Sequence, residues 1–223
     1  MDGRELTARR TGAASGLATD LLARPDASTL GVIGAGVQAR TQVEAICAVR
    51  PITAIRIYSL SGAEAMAGEL RQRYTASITV ADTAQAALAG TDVIVAATNS
   101  PTPVIHLQDV APGAHINGVG SFTPAMQEVA ADVVMSARVV VDHRASAWAE
   151  AGDLIIPRQA GLITEDVIQA EIGEIAAGLA EGRASREEIT FFKSVGNAVQ
   201  DAAAARVVLA VAGERGLGTE VVL

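Results

Sequence analysis

Residues Leu30 to Arg40 read LGVIGAGVQAR, an apolar run that enters Gly34-Ala35-Gly36-Val37-Gln38-Ala39, a G-x-G-x-x-A turn. Each small residue of such a turn has its own duty. The first glycine permits the tight reversal from strand to helix, and the second leaves room where a pyrophosphate must approach the backbone. The small third residue lets the helix lie close on the strand. The helix start then offers unpaired N–H groups and the positive end of its dipole to an anion. Gly34, Gly36, Val37, Gln38 and Ala39 are therefore candidate dinucleotide-binding positions.

The flanks of the turn supply the context that a bare glycine pattern lacks. Ser28 to Ile33 is β-prone and apolar, and Val37 to Val49 places Val43, Ile46 and Cys47 on one helical face, with Arg40 and Glu44 elsewhere. Ala54 to Ser59 is the next strand, which completes a β-α-β unit. Strand-like runs recur at 30–33, 55–58, 78–80, 93–97, 116–119 and 139–141, and helical stretches separate most of them. That alternation predicts an α/β, Rossmann-type doubly wound parallel sheet. Ligands of such sheets sit outside the carboxyl ends of the strands, so 34–39, 59–62, 98–103 and 118–124 are expected to line one crevice.

The ends of the chain read differently. Glu5 to Arg24 is one helix closed by Pro25, with Leu6, Leu17, Leu21 and Leu22 as its apolar positions. After Ala145 come short helices, an extended run from Ile189 to Phe192, and a long helix over about 197–212 with Gly213 near its end. These pieces are too few to close a core of their own. The expectation is a dinucleotide-binding domain over 26–145, with 1–25 and 146–223 belonging to the remnant of a second domain whose remainder is absent or comes from a partner.

Composition narrows the class. Half of the 223 residues are hydrophobic and only 3% are aromatic, a small-residue content suited to helices packed on a buried parallel sheet. A net charge of −8 argues against a nucleic-acid partner, which would need concentrated Lys and Arg. No apolar run reaches membrane-spanning length and MDGRELTARR has no signal-like apolar region, so a cytoplasmic protein with no membrane partner is expected. Cys47 is the single cysteine and reads as a small core residue. His106, His115 and His143 have no metal-ligand spacing, so no metal site is expected. Asp142 reads as a strand-end cap, Trp148 as a packing residue and Lys193 as a solvent-facing side chain.

With the fingerprint, MDGRELTARRTGAAS at the start, NGVGSFTPAMQE from Asn117 and EITFFKSVGNAVQD from Glu188 all in view, the chain resembles the ornithine cyclodeaminase/mu-crystallin family over essentially its whole length. The resemblance implies a homodimer with a nicotinamide cofactor and a small imino or amino acid substrate. It matches Arg10 to the arginine that helps hold the substrate carboxylate, where a planar guanidinium can make paired hydrogen bonds, and it places Val195 against the substrate. Thr98 and Asn99 match a turn beside the cofactor, and Asn117, Val119 and Gly120 a loop near the nicotinamide. Ser194 matches the segment that closes over it.

Ser59 and Ser61 follow the second strand, where an NAD site usually has an acid for the ribose hydroxyl; with none present, NADP(H) is favoured over NAD(H). Phe122 stands where cyclodeaminases have an aspartate. A phenylalanine moves no protons, so the resemblance points to the reductase branch, acting on 1-pyrroline-2-carboxylate or 1-piperideine-2-carboxylate. Ornithine cyclodeaminase, alanine dehydrogenase and a non-catalytic nucleotide binder stay open as alternatives. Family members ordinarily carry about a hundred further residues ahead of the DG motif, a domain's worth. The substrate and dimerisation domain is therefore expected to be only a remnant here, and the catalytic residue, a lysine of that segment, stays unassigned.

Overall fold

A computed structural model describes residues 2–219. Helix α1 (Gly3–Leu22) leads into β1 (Thr29–Ile33), α2 (Val37–Val49), β2 (Ala54–Tyr58), α3 (Ala63–Arg73), β3 (Ser77–Val80), α4 (Ala84–Leu88) and β4 (Val93–Ala96). Then follow β5 (His115–Gly118), α5 (Ala131–Ser136), β6 (Arg138–Val141), α6 (Arg144–Glu150) and α7 (Gly152–Gln159). The last elements are β7 (Ile168–Glu171), α8 (Ile172–Ala176), β8 (Thr190–Lys193) and α9 (Ala198–Glu214). All the strands join in one parallel sheet, ordered β3-β2-β1-β4-β5-β8-β6-β7.

Both faces of that sheet are covered, which is why its central strands read as continuous apolar runs. Successive residues enter opposite layers. Leu30, Val32, Val93 and Val95 pack under α2 and α3, while Ile33, Ile94 and Ala96 pack on the other side with α4, α5 and α7. Farther along the sheet, Val140 and Phe192 meet Ala18 and Leu22 of α1 and Ile172 and Ile175 of α8.

Two readings of the sequence require correction. The extended run near 189–192 belongs to the same sheet, not to a second domain: β8 lies between β5 and β6, with Ile116 and Val139 both level with Phe191. The sheet also takes in β7, so it runs past the boundary drawn at residue 145. A strand returning from later in the chain leaves no local signature of where it inserts, and IQAE at β7 is too short and too polar to announce itself.

The second correction concerns α1. Its buried face is made of Ala8, Thr11, Gly12, Ser15, Gly16, Ala18, Thr19 and Leu22, while Leu17 is 42% exposed. A Cβ on Gly12 would stand 2.6 Å from the Thr41 carbonyl oxygen, and one on Gly16 3.1 Å from the Ala45 Cβ. Small residues let α1 lie against α2, and that close crossing brings Arg10 to the end of the sheet where the glycine turn is.

Below this crossing His115 is fully buried. Its Nδ1 is 2.9 Å from Thr190 Oγ1 and its Nε2 is 3.3 Å from Asn117 Oδ1. Burial pushes its pKa down to about 3, with the Arg183 guanidinium adding to the effect. The unfolded chain takes up this proton near pH 6.5 and the folded one does not, so stability is full above that pH and falls as the solution is acidified. Between pH 7 and 5 this histidine alone accounts for about 2 kcal/mol lost. The check is chemical denaturation against pH: His115→Gln flattens the slope over this range by close to one proton, whereas a slope equal to the wild type's refutes the assignment.

Candidate functional site

The carboxyl ends of β1, β2, β4, β5 and β8 surround a cleft of about 1100 Å³. Of the positions singled out from the sequence, Arg10, Gly34, Gly36, Val37, Gln38, Ser59, Ser61, Thr98, Asn99, Val119, Gly120, Ser194 and Val195 line it. Two do not. Ala39 is on the buried face of α2, where its small size serves helix packing rather than ligand contact. Asn117 is also fully buried, and its Nδ2 donates to Thr19 Oγ1 at 3.0 Å. It lies within β5, so it faces α1 instead of the strand end.

The glycines of the turn differ in what they need. Gly34 has φ +110° and donates its N–H to the Tyr58 carbonyl at 2.8 Å, and a Cβ there would overlap the Ala97 carbonyl oxygen. The fold itself requires this glycine. Gly36 is extended at φ −79°, and an added Cβ would meet nothing within 4 Å. Nothing in the protein demands its smallness, and the space beside it is open. Gly36 also begins α2 without a side-chain cap, leaving first-turn N–H groups for an anion. Gln38 Oε1, in the cleft wall, is buried with no hydrogen-bond partner. An uncapped helix start, an open backbone and an unmet acceptor fit the pyrophosphate and adjoining groups of a dinucleotide.

At the other wall, Arg10 is held by the start of α9. Its Nε donates to Asp201 Oδ1 at 3.1 Å and its Nη1 to Gln200 Oε1 at 3.0 Å. The guanidinium packs on Gly196, which has φ +86° and no room for a Cβ. The turn carrying Gly196 is itself tied down by Asp142, whose Oδ2 accepts from Ser194 Oγ at 2.9 Å, from the Val195 N–H at 3.1 Å and from the Gly196 N–H at 2.5 Å. Among the described residues lining the cleft, Arg10 is the one Lys or Arg and Glu150 the one carboxylate, while Phe122 presents a half-exposed ring.

Behind the cleft is a cluster that sequence reasoning missed. Lys193, expected in solvent, is fully buried because β8 is a central strand, and its Nζ is 3.1 Å from Asp153 Oδ2. Glu128 lies beside them. Its carboxylate accepts the N–H groups of Thr98 at 2.5 Å, Gly120 at 2.7 Å and Ser121 at 2.9 Å. Burial pushes the Glu128 carboxyl above its ordinary range, and Lys193 opposes that shift.

Compared with known proteins, residues 1–215 match the model of the ornithine cyclodeaminase/mu-crystallin family. The chain belongs to that family. It is 42% identical to a Delta(1)-pyrroline-2-carboxylate reductase of Bacillus cereus over 99% of this chain and 69% of that protein. Among solved structures, the Thermococcus litoralis Delta(1)-pyrroline-2-carboxylate reductase, in complex with NADH and L-proline, superposes with a TM-score of 0.96. It is 41% identical over 99% of this chain and 69% of that one. An archaeal alanine dehydrogenase dimer with bound NAD gives a TM-score of 0.94 at 36% identity, covering 100% of this chain and 69% of its own.

As a member of this family, the chain is a nicotinamide-dependent oxidoreductase acting on C=N bonds, and its glycine turn, Arg10 and Val195 share one cleft. Thr7, Thr11, Tyr58, Ser100 and Glu150 also line that cleft. Ser100 falls in the 98–103 segment expected there, and Thr7 and Thr11 belong to the opening motif without having been singled out, whereas Tyr58 and Glu150 carried no sequence signal for the cleft. Among the described residues no group of His, Cys, Asp or Glu is placed to hold a metal ion, and no helix is long and apolar enough to cross a membrane.

Proposed function

We propose that this chain reduces a small cyclic ketimine carboxylate, 1-pyrroline-2-carboxylate or 1-piperideine-2-carboxylate, to the cyclic amino acid. Phe122 carries this reading. It stands in the wall of a cleft with a carboxylate anchor but supplies no group able to pass protons at the position where cyclodeamination would need one. A bound reduced nicotinamide supplies the two-electron chemistry.

The protein's own groups bind and orient. The uncapped start of α2 and the open backbone at Gly36 take the pyrophosphate, and Gln38 Oε1 accepts from a hydroxyl of the adjoining ribose. Arg10, held flat against Gly196 by Asp201 and Gln200, keeps further N–H donors for the substrate carboxylate. Phe122 and Val195 form apolar wall beside that anchor and keep water from the ring.

NADPH is preferred over NADH in this reading, because the β2 end offers Ser59, Leu60, Ser61 and Gly62 with no carboxylate to repel a 2′-phosphate. The working form is a cytoplasmic homodimer, supported by the exposed Val199, Val207 and Leu209 along α9 and by the likeness to a dimeric enzyme.

The test is an assay of reduced-nucleotide oxidation with either ketimine, run with NADPH and with NADH. The expected outcome is stoichiometric oxidation, faster at low concentrations of NADPH, and no ammonia from ornithine. Ammonia release from ornithine would return the reading to cyclodeamination. The likeness to the archaeal enzyme supports one rival, alanine dehydrogenase, and turnover of pyruvate with ammonia but of neither ketimine would establish it.

A further inference from the structure

Glu128 is not in the cleft wall, yet it connects the segments that form it. Its Oε1 takes the Thr98 N–H from the turn after β4, and its Oε2 takes the Gly120 and Ser121 N–H groups from the turn after β5. Backbone donors at such bends have no strand partner, and one buried carboxylate satisfies all three. Its main chain is pinned as well. The Glu128 N–H donates to Asp153 Oδ1 at 2.7 Å, and its carbonyl accepts from Val104 at 2.8 Å and Ile105 at 3.0 Å. Asp153 in turn is paired with Lys193, the residue before Ser194. The two turns touch through a position that only glycine can fill: a Cβ on Gly120 would overlap the Thr98 carbonyl oxygen and stand 2.5 Å from both Glu128 oxygens.

We propose that Glu128 is a positioning residue whose carboxylate clamps the turn after β4 to the turn after β5, with the Asp153–Lys193 pair anchoring the clamp to β8. Thr98, Gly120 and Ser194, which meet in the cleft, then keep one relative geometry. The kinetic part of this inference rests on the ketimine-reductase reading; the structural part does not.

The isosteric substitution Glu128→Gln is selective. Its single carbonyl oxygen can serve the Gly120 and Ser121 donors, but the NH2 group then faces the Thr98 N–H, donor against donor. Hydrogen exchange of the cofactor-free variant should therefore accelerate about 10-fold or more at Thr98 and its neighbours to Ser100, while Gly120 and Ser121 stay protected. With ketimine, kcat should fall about 10-fold or more, since small misplacements of a reacting pair are costly. The dissociation constant of the dinucleotide, set at the Gly34–Gln38 turn, should change less than about 3-fold.

Unchanged exchange at Thr98 overturns the proposal. So does acceleration spread evenly through the protein in step with a lower Tm, or a released Thr98 with unchanged kcat. If the variant does not fold, the wild type decides. Its Thr98, Gly120 and Ser121 amides must exchange well below exposed-loop rates, and exchange at loop rates refutes the clamp. If the wild type reduces no ketimine, the exchange measurements still test the clamp, and only the functional reading fails.

Discussion

Gly36→Asp abolishes dinucleotide binding and leaves the protein folded. Gly36 sits at φ −79°, which any residue adopts, and its added Cβ meets nothing within 4 Å, so the folded chain accepts the side chain without strain. Aspartate is also a good helix N-cap, and here it would satisfy first-turn N–H groups of α2 that have no side-chain cap. That same placement puts a negative charge where the pyrophosphate must sit and uses up the donors meant for it. Fluorescence titration with NADPH and NADH should show either dissociation constant raised about 100-fold or more, while Tm holds or rises slightly. Gly34→Ala makes the contrast. It forces a Cβ onto the Ala97 carbonyl oxygen at φ +110°, so its loss of binding comes with a fall in Tm. A Gly36→Asp protein that binds either nucleotide within a few-fold of the wild type refutes the placement of the pyrophosphate.

Arg10→Ala is expected to lower kcat/KM for the ketimine by about 30- to 1000-fold, the cost of losing a charge-assisted pair of hydrogen bonds to the substrate carboxylate. The side chain is mostly buried, but its partner Asp201 is partly exposed and can turn to water when the guanidinium is removed. The stability cost is therefore small compared with the kinetic one. Cofactor affinity changes much less, because the glycine turn and the β2 end contribute no group to Arg10. The decisive comparison is steady-state kinetics beside nucleotide titration on the same preparation. Unchanged kcat/KM, or a nucleotide dissociation constant that rises in parallel, would remove Arg10 from the substrate site.

The parts of this molecule legible in its sequence are those whose cause is local. The G-x-G-x-x-A turn follows from the backbone geometry of one strand, one bend and one helix. Its period-2 and period-3.6 surroundings identify β1, α2 and β2 with almost their observed ends. Six strands alternating with helices are enough to imply a parallel sheet, because parallel neighbours need crossovers. Phe122 and Arg10 were legible for a different reason, being residues of motifs that resemble a family's. Their meaning came from the resemblance, and the fold then put Arg10 and Phe122 in the same cleft as the turn.

What stayed hidden depends on contacts between distant segments. TFFK reads alike as an edge or a central strand, and nothing in the four residues says that β8 slips between β5 and β6. That insertion is what takes Lys193 out of water and leaves Asp153 as its counter-charge. Asn117 and Ala39 belong to the right segments, yet strand pleat and helix packing turn their side chains into the core. The leucines of α1 suggested one buried face, while Gly12 and Gly16 allowed a closer crossing that buried another. Sequence thus sufficed for the glycine-rich turn and the class of sheet, where each preference acts over a few residues. The burial of the Glu128–Asp153–Lys193 cluster and the meeting of Arg10 with Asp201 arose only when strands and helices far apart in the chain packed together. Side chains like these carry no mark of their future neighbours, and the dielectric that governs their charges exists only once the core has closed.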